Sequence, residues 1–122
     1  MNDVMMNFCK VRNIYRAIAV FESEFHEKYG LSLNEGMLLC LLDNHASLTS
    51  GEVAEQLSLT PSNTSKVIRS VEDKKFIQRI IGKEDKRQMN LSITTKGKKQ
   101  IESLKNQCLE LPQDLQSLVD AL

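Results

Sequence analysis

Two helix-start signals stand eleven positions apart in this chain, Thr49-Ser50-Gly51-Glu52 and Thr60-Pro61. The first has the form of a capping box, in which the Thr and Glu side chains satisfy free N–H groups of an opening turn. The second pairs a Thr cap with a proline at the first helical position, where its missing N–H costs nothing. A helix begun at the first signal must therefore stop by about Ser58, and a second must open at Pro61 and run to about Lys75. A short helix, a tight turn and a longer helix make a helix-turn-helix. Ala54 leaves room for close approach of the second helix, with Val53, Leu57 and Leu59 as apolar neighbours. Thr64, Val67, Ile68 and Val71 form the buried stripe of that second helix, which leaves Ser62, Asn63, Ser65, Lys66 and Arg69 on the other face.

The flanks are read the same way. Phe8, Val11, Tyr15, Ile18, Phe25 and Tyr29 recur at three- and four-residue spacing, one face of a long first helix that Gly30 ends. Ser32-Leu33-Asn34-Glu35 is another capping box, opening a helix from Gly36 to about Asn44 whose run MLLCLL predicts burial on most sides. Phe76 to Ile81 and the alternating Met89 to Ile93 predict two strands, joined by a charged loop over 82–88. Thr94 caps a helix from Thr95 to about Glu110, Pro112 interrupts the pattern, and a last short helix follows. The fold class is mainly α, and 122 residues predict a single domain.

The chain is neutral, with 16 basic and 16 acidic side chains, but the charge is not evenly spread. Residues 60–100 hold eleven basic against four acidic groups, a net of +7, while 1–59 total −4 and 101–122 total −3. A basic middle between acidic ends is the footprint of one face meeting phosphate; the competing reading is a solvated charged surface. The side chains on the outer face of the second helix favour the former. Asn63 and Arg69 suit base edges, while Thr60, Ser62, Ser65 and Lys66 reach bases or phosphates. Other classes find little support. Cys9, Cys40 and Cys108 are far apart and not paired with His26 or His45, so neither a disulfide framework nor a metal site is expected. No nucleophile with a base, no carboxylate pair and no phosphate-cradling loop suggests an enzyme, and no cofactor is expected. There is no apolar run of membrane-spanning length, and the polar start MNDVMMNFCK lacks a signal-peptide pattern, so a cytoplasmic protein without membrane contact is expected.

The stretch GEVAEQLSLTPSNTSKVIRSVEDKKFIQRIIGKEDKRQMNLSITTKG resembles the winged helix-turn-helix of the MarR family of bacterial transcriptional regulators. The wing signature of that family, Asp-x-Arg, five residues, then Leu-Thr, stands here as Asp85-Lys86-Arg87, QMNLS, Ile93-Thr94, with Ile in place of Leu. The resemblance implies a DNA-binding lobe over 31–94 and a dimerisation lobe built from 1–30 and 95–122, within a single domain over 1–122. It implies a homodimer on a double-stranded DNA operator, and Arg87 entering the minor groove. Asp85 would orient Arg87, Lys83 and Lys86 would meet phosphates, and Met89, Leu91 and Ile93 would anchor the wing. It also leaves room for a small aromatic or anionic effector, although no residue here specifies one. Two further positions depart from the pattern: Lys75 stands where the family commonly has Gly, and Thr64 replaces an aliphatic residue.

Dimerisation is also expected without the resemblance. Ile101, Leu104, Cys108, Leu111, Leu115, Leu118 and Leu122 fall on a heptad seam, and the first helix offers Phe8, Tyr15 and Ile18. Both terminal stripes exceed what one small core absorbs; the bland alternative packs them within one subunit. Cys40 and Cys108 read as apolar core and seam residues, and His26 and His45 as surface residues. Two other functions stay open: a winged helix used only for protein interaction, and a redox-sensing regulator using Cys9 beside the tyrosines of the first helix.

Overall fold

A computed structural model describes residues 2–81, 89–107 and 110–122. The chain divides into two compact units, residues 1–30 with 108–122, and residues 31–107. The first unit contains α1 (Asp3–Tyr29) and α6 (Gln113–Asp120), which pack on each other and bury Ala17 and Leu115. Asn2 caps α1 by accepting the Met5 N–H at 2.9 Å, and Gly30 closes it in the left-handed region at φ 70°. Most of the apolar stripe of α1 stays open to solvent in the single chain: Phe8, Val11, Tyr15 and Ile18 are all exposed.

The second unit contains α2 (Leu33–Asp43), β1 (Leu48–Thr49), α3 (Ser50–Leu57), α4 (Pro61–Asp73), β2 (Ile77–Ile81), β3 (Met89–Ile93) and α5 (Thr95–Asn106). The strands form an antiparallel sheet in the order β1-β3-β2, with Leu48 opposite Leu91 and Ile77 opposite Ile93. Leu31, Leu38, Leu39, Leu42, Val53, Val71, Leu91 and Ile101 supply its core. Each such side chain contributes roughly 1.5–3 kcal/mol when fully withdrawn from water.

All four expected caps form. Ser32 and Thr49 each accept the N–H three residues on while Glu35 and Glu52 reach back to the cap N–H, and Thr60 and Thr94 accept from Asn63 and Gly97. Elsewhere the pattern reading needs correction. β1 was not expected; two residues are too few to show a period, and Thr49 was read only as a cap. The run MLLCLL is not buried on most sides, because Met37 and Cys40, three residues apart, share an exposed face while Leu38, Leu39 and Leu42 turn inward. The residue Phe76 lies before β2 instead of in it, since its N–H is engaged by Val71 O at the end of α4. α5 stops at Asn106, well before Glu110. It packs on α2 inside the second unit, burying Ile101 there and joining Lys105 to Asp43 at 2.8 Å, so the grouping of 95–122 as one segment does not follow the packing.

The end of α4 answers the question raised by Lys75. Lys75 N–H donates to Glu72 O and Phe76 N–H to Val71 O, the two bonds of a Schellman ending, with Lys75 at φ 69°. The left-handed conformation that glycine would adopt freely is therefore kept by a lysine. Ser58 ends α3 in the same way at φ 54°, with Leu59 N–H on Ala54 O. Left-handed geometry costs a non-glycine residue about 1–2 kcal/mol, against which glycine's greater freedom in the unfolded chain returns up to about 1 kcal/mol. Lys75→Gly is accordingly expected to raise the urea midpoint by an amount worth roughly 0.5–1 kcal/mol, with an unchanged denaturant slope. A lowered midpoint would show that the Lys75 side chain contributes more than its backbone strain removes.

Candidate nucleic-acid interface

The site is built on α4, so the first question is what fixes α4. Its inward stripe is Thr64, Ile68 and Val71, each nearly withdrawn from solvent, with Val67 half-buried. Thr64 is a polar group in this stripe, and its hydroxyl is satisfied locally by donating to Thr60 O at 2.7 Å. That explains how a threonine replaces an aliphatic residue without leaving an unpaired buried oxygen.

A second anchor is polar and was not foreseen. Glu35 is buried, at 7% exposure, although it closes the capping box of α2. Its Oε1 accepts the Ser32 N–H at 2.9 Å, and its Oε2 accepts from Ser70 Oγ at 2.7 Å and Lys74 Nζ at 3.0 Å, both in or just after α4. Burial alone would raise its pKa, but the bonds from Ser32, Ser70 and Lys74, together with the lysine charge, outweigh that and hold the carboxyl below its ordinary value. Sequence spacing gives no signal for this, since Glu35 and Lys74 stand 39 residues apart.

The outward face of α4 presents Ser62, Asn63, Ser65, Lys66 and Arg69, all exposed, as the period of the helix required. Thr60 is also exposed, but its side-chain oxygen accepts the Asn63 N–H at 3.1 Å, so it acts first as a cap. Two of the basic side chains of residues 60–100 are engaged internally. Lys74 is paired with Glu35, and Arg79 Nε with Glu72 Oε2 at 2.9 Å. Lys66 and Arg69 have no ion pair among the described residues, which leaves them as the cations of this face. A small cleft of about 100 Å³ beside it is lined by Ser50, Ser65, Ile68, Arg79, Met89 and Leu91.

The hairpin of β2 and β3 keeps register from Ile77 opposite Ile93 to Ile81 opposite Met89. Of the three expected wing anchors, Leu91 is buried and Ile93 half-buried, but Met89 is exposed together with Ile80 and Ile81. Lys83, Asp85, Lys86 and Arg87 lie outside the described residues. The corner where this hairpin meets α5 is closed by Thr94. Its N–H donates to Phe76 O at 2.9 Å, and its hydroxyl donates to Lys75 O at 2.7 Å while accepting the Gly97 N–H at 3.1 Å. Gly97 then packs directly on the Phe76 carbonyl, with no room for a Cβ.

The expected dimer residues divide into two groups. Phe8, Tyr15, Ile18 and Leu118 are exposed in the single chain, and Leu104 and Leu111 are half-buried. Ile101 and Leu115 are already covered within their own units, at 1% and 8% exposure, so neither is available at a seam as it stands. Cys108 lies outside the described residues. Cys40 is a correction: it is exposed, not core, and partial burial with Asp43 nearby raises its thiol pKa despite Lys105. Cys9 is half-buried, and His26 and His45 are on the surface. Among the described residues no group of His, Cys, Asp and Glu could hold a metal, and no helix is long and apolar enough to cross a membrane.

Known proteins share this arrangement. The MarR family model matches residues 31–89. A curated relative, the HTH-type transcriptional repressor MdtR of Bacillus subtilis, is 28% identical over 97 residues, covering 80% of this chain and 61% of its own length. A second, the uncharacterized HTH-type regulator YfiV of the same organism, is 31% identical over 72 residues, covering 59% and 45%. The chain thus spans about half the length of the curated relatives it matches. Among solved structures, S. aureus MepR in complex with DNA superposes with a TM-score of 0.65 at 28% identity, over 79% of each chain.

Proposed function

On the match of residues 31–89 to the MarR family model, we propose that the chain is a regulator of MarR type, a sequence-specific double-stranded-DNA-binding transcriptional regulator. It acts as a homodimer on a pseudo-palindromic operator. The observation that carries this reading is the division of α4: one stripe fully engaged by the core, and an opposite face of Ser62, Asn63, Ser65, Lys66 and Arg69 with nothing covering it. A helix so presented fits the major groove, where Asn and Arg distinguish bases and Ser and Lys reach bases or backbone. The likeness to MepR, whose structure was solved on DNA, supports the same assignment. The uncovered stripe of Phe8, Tyr15 and Ile18 supports a second copy as the partner of α1, which would set two α4 helices on half-sites about one helical turn of DNA apart. Arg87 in the minor groove, oriented by Asp85, with Lys83 and Lys86 on phosphates, completes the proposed interface. Release by a small aromatic or anionic effector belongs to the same proposal.

The test is a titration, at fixed salt, of a duplex enriched by the wild-type protein from a random-sequence pool. Arg69→Ala should lose roughly 1–3 kcal/mol and relax preference at one position, whereas Lys66→Ala should weaken all duplexes alike and flatten the salt dependence by about one unit. Failure of the wild type to enrich any sequence would favour a winged helix used for protein interaction instead.

A further inference from the structure

We propose that Glu35 is a positioning residue for the recognition helix, setting the placement of α4 through Ser70 and Lys74 and thereby the discrimination between DNA sequences. This rests on the DNA-binding reading above and deepens it. Glu35 belongs to the first turn of α2, five residues after Gly30, where the chain leaves its first compact unit for its second. One carboxylate oxygen closes the capping box on the Ser32 N–H and the other holds Ser70 and Lys74. A single buried side chain therefore joins the start of α2 to the C-terminal half of α4. Lys74 Nζ also donates to Ser70 Oγ at 3.0 Å, so the three groups form a closed polar cluster, and no buried side-chain polar atom among the described residues lacks a partner.

The chemistry makes the cluster directional in a way apolar packing is not. The apolar contacts of Ile68 and Val71 tolerate small sliding of α4, since dispersion falls off gradually with distance. Hydrogen bonds of 2.7–3.0 Å to one carboxylate oxygen tolerate little. Base readout by Asn63 and Arg69 depends on angstrom-level placement of the helix, while phosphate contacts are more forgiving. Loss of the anchor should therefore fall on discrimination more than on general affinity.

Three variants test this: Glu35→Gln, which removes the charge and keeps the size; Ser70→Ala, which removes one arm and leaves the capping box; and Ser70→Thr, which restores a hydroxyl. For each, affinity is measured for the enriched duplex and for a scrambled duplex of the same composition. Amide hydrogen exchange is followed across α4 without DNA. We expect the ratio of the two affinities to fall about tenfold in Glu35→Gln and Ser70→Ala, the size of a weakened base contact. Ser70→Thr should recover most of it, and exchange should quicken selectively at residues 70–74. A purely structural role would lower the fraction of competent protein and leave the ratio unmoved, so an unchanged ratio in folded Glu35→Gln overturns the proposal. Wild-type protein that discriminates between no duplexes would overturn the DNA reading instead. The exchange data then decide the anchor alone, and unaltered exchange at residues 70–74 refutes it.

Discussion

Gly97→Ala is expected to destabilise the protein by about 3 kcal/mol, and the sign of that change is the informative part. Gly97 lies in the first turn of α5, and by helix propensity alone alanine there should be better by roughly 1 kcal/mol. The close approach of Gly97 to the Phe76 carbonyl reverses this, because a Cβ would overlap backbone that cannot rotate away. The Phe76 carbonyl is itself fixed by the Thr94 N–H, and Phe76 N–H by Val71 O, so relief requires shifting either α5 or the end of α4. Overpacking of this kind costs about 1–3 kcal/mol and more where backbone is the obstacle. Gly51, in the first turn of α3, is the control. A Cβ there meets nothing nearer than Thr49 Oγ1 at 3.9 Å, so Gly51→Ala should follow propensity and stabilise by roughly 0.5–1 kcal/mol. Urea unfolding of the two variants should therefore move in opposite directions. Stabilisation by both would mean that the α5 corner yields to a methyl group.

The same corner shows what a sequence of this kind reveals. Thr94, Thr60, Thr49 and Ser32 were legible as caps because a cap is a local bond to an N–H three residues on, written in adjacent letters. The burial of Thr64, Ile68 and Val71 was legible because a helix repeats its faces. The requirement for a small residue at position 97 was not, since it arises where α5 crosses a backbone atom 21 residues earlier in the chain. Glu35 was read correctly as half of a capping box and incompletely as nothing more, because its other oxygen serves residues on another element. Cys40 faces water against expectation because α2 has six apolar residues in a row, Met37 to Leu42, and periodicity cannot say which of them is exposed. For the interface, the exposed face of α4 was legible as a pattern. The pairing of Lys74 with Glu35 was not, and because Glu35 lies outside residues 60–100 the net of +7 for that segment overstates its basic surplus by this one charge.

Tyr15→Glu separates a dimer surface from a merely ornamental stripe, and it does so better than any change at Leu115. Leu115 is buried against its own chain, so Leu115→Glu would place an unpaired charge in the first unit and unfold it whether or not a dimer exists. Tyr15 is 76% exposed in the single chain, and glutamate is a good helix former, so the variant should leave the isolated helix and the thermal stability of the second unit unchanged. If α1 meets a second copy through Phe8, Val11, Tyr15 and Ile18, the same substitution carries two carboxylates into a desolvated seam. Loss of a central tyrosine and the burial of charge together should cost roughly 2–4 kcal/mol, enough to shift a micromolar dimer to monomer. Size-exclusion chromatography with light scattering reads the mass directly, and circular dichroism confirms that helix content is retained. With the dimer lost, affinity for a two-half-site duplex should fall far more than affinity for a single half-site, because the second α4 is no longer tethered to the first. A folded Tyr15→Glu protein that keeps the dimeric mass at the same concentration would remove this face of α1 from the interface.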